Sequence, residues 1–188
     1  MNTIVEFFPG LREMENFHPL LVHFPIALLT CFLLLDFVGF ITNRRVFVNA
    51  ASWMLFLGTL GALATVTTGL DAALSVAHPD NVHEFLEKHR NYGFNVAGLA
   101  LILSFWRLAN RARFSRLGHA VHLLTAVLLV FNLFRGADLG GLMVYRYGVA
   151  VKAAQIKHSG HSHESVAGEF AEWWHHLIYG YHHHEHPH

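Results

Sequence analysis

The chain has 188 residues, of which 53% are hydrophobic and 14% charged, with 13 basic side chains, 13 acidic ones and 17 histidines. A soluble domain carries about 25% charged residues, so the composition points away from a solvated globule, and zero formal charge excludes the basic footprint of a nucleic-acid binder. The lone Cys31 excludes an intramolecular disulfide, and no Cys-x-x-Cys-His is present for covalent haem attachment.

Residues 1–18 carry Glu6, Glu13 and Glu15 against Arg12. That is not the basic leader of a signal peptide, so the first apolar run is expected as a retained span. Asn16-Phe17-His18-Pro19 reads as a helix start with Pro19 in the tolerated first turn. The run from Pro19 to Ile41 is broken only by Asp36. Within it Pro25 removes the N–H bond to the Leu21 carbonyl, which predicts a kink beside His23. Val46 to Leu70 has no charged residue and carries Gly58, Ala62, Thr65 and Gly69 as a small-residue stripe. Such a stripe admits a close neighbour, either another helix or a flat cofactor.

Asp80 reads as the N-cap of a third helix beginning near Asn81, whose apolar part runs from Tyr92 to Trp106 and ends in a snorkelling Arg107. Leu117 to Phe134 forms the fourth run, expected to end at Arg135-Gly-Ala-Asp138-Leu-Gly-Gly as an i,i+3 charge pair followed by a glycine turn. A membrane-spanning helix needs about 20 apolar residues, so residues 19–150 are read as a four-helix transmembrane domain. A linker over 151–163 follows. Val166, Phe170, Trp173, Trp174, Leu177, Ile178 and Tyr181 then repeat at helical spacing, which predicts an interfacial amphipathic helix over 164–181. The His-rich tail over 182–188 closes the chain. The expected fold is all-α: a four-transmembrane-helix bundle with an interfacial helix and a His-rich tail.

The loops set the orientation. Arg44 and Arg45 flank one connection, and Arg107, Arg111, Arg113 and Arg116 another, with no acidic residue in either. The positive-inside rule makes both cytoplasmic and puts both termini outside, which is the periplasm for a bacterial inner membrane. Every histidine except His119 and His122 then falls on the outer side or its membrane mouth, as does every acidic residue except Asp36.

An ionisable residue within a span is a functional candidate by default. His23 lies about one turn below the outer surface beside the kink, and His89 sits at the outer mouth of the third helix. Two imidazoles on different helices of a bundle can clamp a b-type haem iron from both sides, with His18 as a supporting or alternative ligand. The competing reading of His23 is a ring hydrogen-bonded to the carbonyl that Pro25 frees. His119 and His122 share one helix at i,i+3, so they cannot be trans ligands of one iron; they read as polar residues snorkelling toward the arginine loop. His83-Glu84-x-x-Glu87 lacks the second histidine of a zinc-protease helix. There is also no Gly-x-Ser-x-Gly and no P-loop, so a stand-alone enzyme is not the expected reading. His182, His183, His184, His186 and His188 form a cluster of the kind that takes Cu²⁺, Zn²⁺ or Ni²⁺.

The run His18-Pro-Leu-Leu-Val-His-Phe-Pro-Ile-Ala-Leu28 resembles a bacterial family of four-helix integral membrane proteins of unknown function with an HPxxVHFPIAL signature. The same domain is found attached to planctomycete-type cytochromes. Thr68-Gly-Leu-Asp71, His89-Arg90-x-x-Gly93 and Leu139-Gly-Gly-x-x-Val-Tyr-Arg-Tyr-Gly-Val149 match in order, over roughly residues 17 to 151. The resemblance implies four spans and a link to haem and respiratory electron transfer. Relatives often carry histidines where this chain has Asp138 and Tyr147. The expected function is therefore a haem b electron-transfer protein, or a small haem-bearing subunit of a respiratory or photosynthetic complex. It would sit in the lipid bilayer and serve an outer-side cytochrome, the quinone pool or a larger membrane complex. The alternatives are a membrane protein that binds metal through its outer tail, and a cofactor-free structural subunit.

Overall fold

The computed structural model describes residues 7, 10, 14, 16–75, 82–110 and 114–151. The interfacial helix over 164–181, the linker, the His-rich tail and the Asp80 cap lie outside the described residues. Among the described residues from 16 on, the helices in chain order are α1 (His18–Leu21), α2 (His23–Thr42), α3 (Arg45–Ser75), α4 (His83–Ala109) and α5 (Arg116–Tyr147). Together α1 and α2 make one span of 25 residues, and the other three spans are 30, 27 and 32 residues long, all apolar enough to cross a membrane. At about 1.5 Å per residue each exceeds the roughly 30 Å hydrocarbon core.

Local sequence explains the breaks. Asn16 Oδ1 accepts from the His18 N–H at 3.0 Å, and Pro19 occupies the first turn. The helix then steps at Val22, three residues before Pro25, where a ring in place of an N–H leaves the ladder incomplete. Asn43 in a left-handed conformation (φ 53°) turns α2 tightly into α3. Ser115 caps α5 through its hydroxyl, which accepts from the Gly118 N–H at 3.1 Å.

One helix end required a correction. The fourth span does not stop at the Leu-Gly-Gly sequence but continues to Tyr147. It closes at Gly148 (φ 64°), whose N–H and that of Val149 bond back to Val144 and Met143. Glycine is more frequent in membrane helices because it lets backbones approach, and Gly136 and Gly140 serve that purpose here. The third helix begins at His83, with Val82 as its N-cap residue.

The helices pack in a ring, α2 on α3, α3 on α4, α4 on α5 and α5 on α2. The packing is antiparallel throughout. Gly39 faces Val48, Gly58 faces Leu29, Gly61 faces Pro25 and Gly69 faces His18, a register that runs the length of α2 and α3. In lipid there is no hydrophobic force between helices, so such close packing and interhelical hydrogen bonds hold the bundle together. Leu29, Phe32, Ala51, Leu55, Ala100, Leu103, Ala126 and Leu129 fill its centre with no exposure. The connections rich in arginine lie at one end, and α1, the start of α4 and the end of α5 at the other.

Candidate functional site

At the end remote from the arginine loops, two histidines meet. His18 on α1 has Nδ1 3.0 Å from the Thr65 carbonyl of α3, and His89 on α4 has Nδ1 2.9 Å from the Gly136 carbonyl of α5. Only an N–H can satisfy a carbonyl oxygen, so each neutral ring is held as its Nδ1–H tautomer and Nε2 is left as a bare lone pair. The ring centroids stand 6.1 Å apart with the planes 85° to each other. Gly69 and Gly140 make the room: a Cβ on the first would lie 3.0 Å from the His18 ring, and on the second 3.3 Å from that of His89.

Beside the pair lies a cavity of about 80 Å³, lined among others by Ala62, Thr65, His89, Tyr92, Gly93 and Gly136. The small-residue stripe of α3 therefore has two uses. Gly58 admits Leu29 of α2, which is helix packing, while Ala62, Thr65 and Gly69 border the cavity and the His18 ring.

His23 and His89 were expected to form the ligand pair, but the structure brings His18 to His89. His23 is exposed on the bundle surface, next to a Phe24 that is 55% exposed. The two histidines are five residues apart, which rotates them well away from each other about a helix axis, and the step at Val22 turns His18 inward. His182, His183, His184, His186 and His188 lie outside the described residues. Among the described residues, no group of three or more His, Cys, Asp or Glu side chains is arranged to hold a metal ion.

The arginine-loop end holds a second constellation. Arg107 does not snorkel: it is 1% exposed, and its Nη2 donates to Asp36 Oδ1 at 2.6 Å and to the Val48 carbonyl at 3.2 Å. Asp36 has no exposure at all. His119 and His122 turn inward as well, with His119 Nε2 at 3.1 Å from Oδ1 and His122 Nδ1 at 3.3 Å from Oδ2. The second contact lies within ion-pair distance but outside hydrogen-bond geometry. Phe32, Trp106 and Phe114 wall the His122 ring, and Arg107 stacks over Phe32 and Phe114. One turn from Arg107 along α4, Ser104 shares a hydrogen bond with Thr59 of α3 at 2.9 Å.

The signal for this cluster was present in the sequence. One acidic and one basic residue stood in otherwise apolar runs, and two such charges inside a membrane are expected to find each other.

Fold and site together define a four-span helical membrane protein with imidazoles gathered at each end of one bundle. The family model described as "Predicted membrane protein (DUF2231)" matches residues 14–153, and the chain belongs to that family. No curated protein and no solved structure matches it.

Proposed function

We propose that this chain is a haem b electron-transfer protein of the bacterial inner membrane, acting as a carrier or as a small subunit of a larger complex, with His18 and His89 as the axial pair. The observation that carries the reading is the His18–His89 geometry. The two rings meet with centroids 6.1 Å apart, each with Nδ1 on a backbone carbonyl and Nε2 left as a possible donor to a metal. Nδ1–H donation to a backbone carbonyl is the outer contact that metal-bound histidines make, and it fixes the tautomer and strengthens the ligand.

The donor set fits a haem iron; the space beside it fits only part of the macrocycle. A pocket for a ligand of drug size encloses about 300–1,000 Å³, against about 80 Å³ here. The contact between His18 and His89 as it stands therefore leaves no room for the whole macrocycle. When bound, haem supplies a one-electron iron couple. The chain's own residues contribute the rest: Thr65 and Gly136 orient the rings, and Gly69 and Gly140 let the rings lie against α3 and α5. By the positive-inside orientation the pair faces the periplasm, within reach of an outer-side cytochrome, with the quinone pool as the membrane partner.

The test is the visible spectrum of the full-length protein, expressed with haem available and purified in mild detergent. A Soret band is expected, lost in His18→Ala and in His89→Ala and kept in His23→Ala. A folded but colourless preparation, or a Soret band that survives both of the first two substitutions, refutes the reading. Truncation before Lys157 should leave the spectrum intact; a metal that departs with the tail would favour the metal-binding alternative through His182–His188.

A further inference from the structure

The Asp36 cluster plays no part in holding haem, and its hydrogen-bond bookkeeping has a specific chemical meaning. Arg107 remains charged under all conditions, so Asp36 and Arg107 form a neutral buried pair. His119 Nε2 faces Asp36 Oδ1 at 3.1 Å, which requires an N–H on that nitrogen and leaves Nδ1 bare. His122 Nδ1 stands 3.3 Å from Oδ2. A lone pair facing a carboxylate oxygen would be repelled, so Nδ1 carries the proton and Nε2 is bare. That Nε2 is buried and has no hydrogen-bond partner among the described residues. Two imidazoles thus each present a carboxylate with their proton and keep a vacant basic nitrogen.

We propose that Asp36, His119 and His122 form a proton-binding site, in which the bare Nε2 of His122 takes the proton. The step is a simple one. A proton from water adds to the bare Nε2 of His122, an N–H bond forms, and the imidazolium faces Asp36 through its other N–H. Nothing is oxidised or reduced. His119 is 13% exposed, whereas Asp36 and His122 have no exposure.

The groups facing His122 are opposed in sign. They are the Asp36 carboxylate of α2 and the Arg107 guanidinium of α4, which is paired with that carboxylate. From its own helix His119 shares the same carboxylate, and Arg116 stacks on the Phe40 that touches His119. From α3 the Val48 carbonyl reaches the cluster and accepts from Arg107. A purely structural ion pair would need Arg107 and Asp36 alone. The two histidines, one at each carboxylate oxygen, are what a proton site adds.

Trp106 supplies the reporter, because its ring centroid is 5.7 Å from that of His122 and an imidazolium quenches indole emission. With Trp53, Trp173 and Trp174 replaced by Phe in the full chain, Trp106 emission in detergent or nanodiscs is followed from about pH 8 to about pH 5, the range in which imidazole takes up its proton. A single reversible fall in emission is expected, abolished in His122→Gln and in Asp36→Asn and untouched in His23→Gln, a residue exposed on the bundle surface. Flat emission in the parent protein overturns the proposal, and so does a transition that survives His122→Gln. If Asp36→Asn fails to assemble, His122→Gln, which keeps the volume and an amide donor, decides alone. The circular dichroism of each variant is recorded beside the emission, so that loss of fold is not read as loss of the site.

Discussion

Removing the carboxylate at Asp36 should cost more than any other single polar substitution in the bundle, and the same loss should shrink when Arg107 is removed with it. Arg107 has two interhelical acceptors, Asp36 Oδ1 and the Val48 carbonyl, while its Nε and Nη1 are buried with no hydrogen-bond partner. Without the carboxylate the guanidinium is left with one carbonyl and no counter-charge in a core of Leu29, Phe32 and Leu55. Breaking a buried pair by removing one partner costs about 3–5 kcal/mol, and translocon measurements put an uncompensated Arg or Asp at a helix centre at about 2.5–3.5 kcal/mol. An intermediate figure of about 3–4 kcal/mol corresponds to a loss of roughly 10²- to 10³-fold in the folding equilibrium. Replacing both charges by apolar residues of similar volume, Asp36→Leu with Arg107→Met, removes the unpaired charge and is frequently neutral or better. The double variant should therefore be more stable than Asp36→Leu alone, by about 2 kcal/mol or more on the same grounds. The assay is reversible unfolding in mixed micelles, with the four proteins forming a double-mutant cycle. A cost below about 1 kcal/mol for the single substitution, or a double variant as unstable as the single, would refute the buried-pair account.

Gly58→Ala should destabilise the α2–α3 contact by about 1–3 kcal/mol, because its Cβ would lie 2.7 Å from a Leu29 methyl; the same unfolding assay checks it, and adding Leu29→Ala should restore part of the loss. Gly148→Ala should cost about 1–2 kcal/mol, since φ is 64° there and the helix cap depends on it; the readout is unfolding at the far end of α5, followed by hydrogen exchange of the Met143 and Val144 neighbourhood.

The four spans were legible because apolar runs of sufficient length have one solution in a bilayer, and each run carried its own boundary signals. The end of α5 was misjudged because a glycine cluster has two physical meanings, a helix stop in water and a packing surface in lipid. Gly140 against His89 and Gly136 against Tyr92 show which one applied. The importance of His89 was readable from depth alone. Its partner was not, because depth ranks His23 above His18 while rotation about the helix axis decides which ring points inward. That rotation follows from the step at Val22 and from Gly69 facing His18, contacts that lie far apart along the chain. Asp36 and Arg107 are 71 residues apart, yet their opposite charges in separate apolar runs were a usable clue. Treating Arg107 as a snorkelling residue weighed its own helix end against water and left the other helices out.

His89 and Arg107 sit on the same helix, 18 residues apart, or about 27 Å along the axis. Between them α4 buries Val96, Ala97, Ala100 and Leu103, and opposite these stand Leu29 of α2 and Leu129 of α5. That middle layer acts as an insulating septum. Polar clusters gather near each end of the bundle, and the layer between them is largely apolar. A bundle built this way can hold a charge near one water phase without short-circuiting it to the other, a condition any protein must meet if it works in a membrane that stores energy as a voltage.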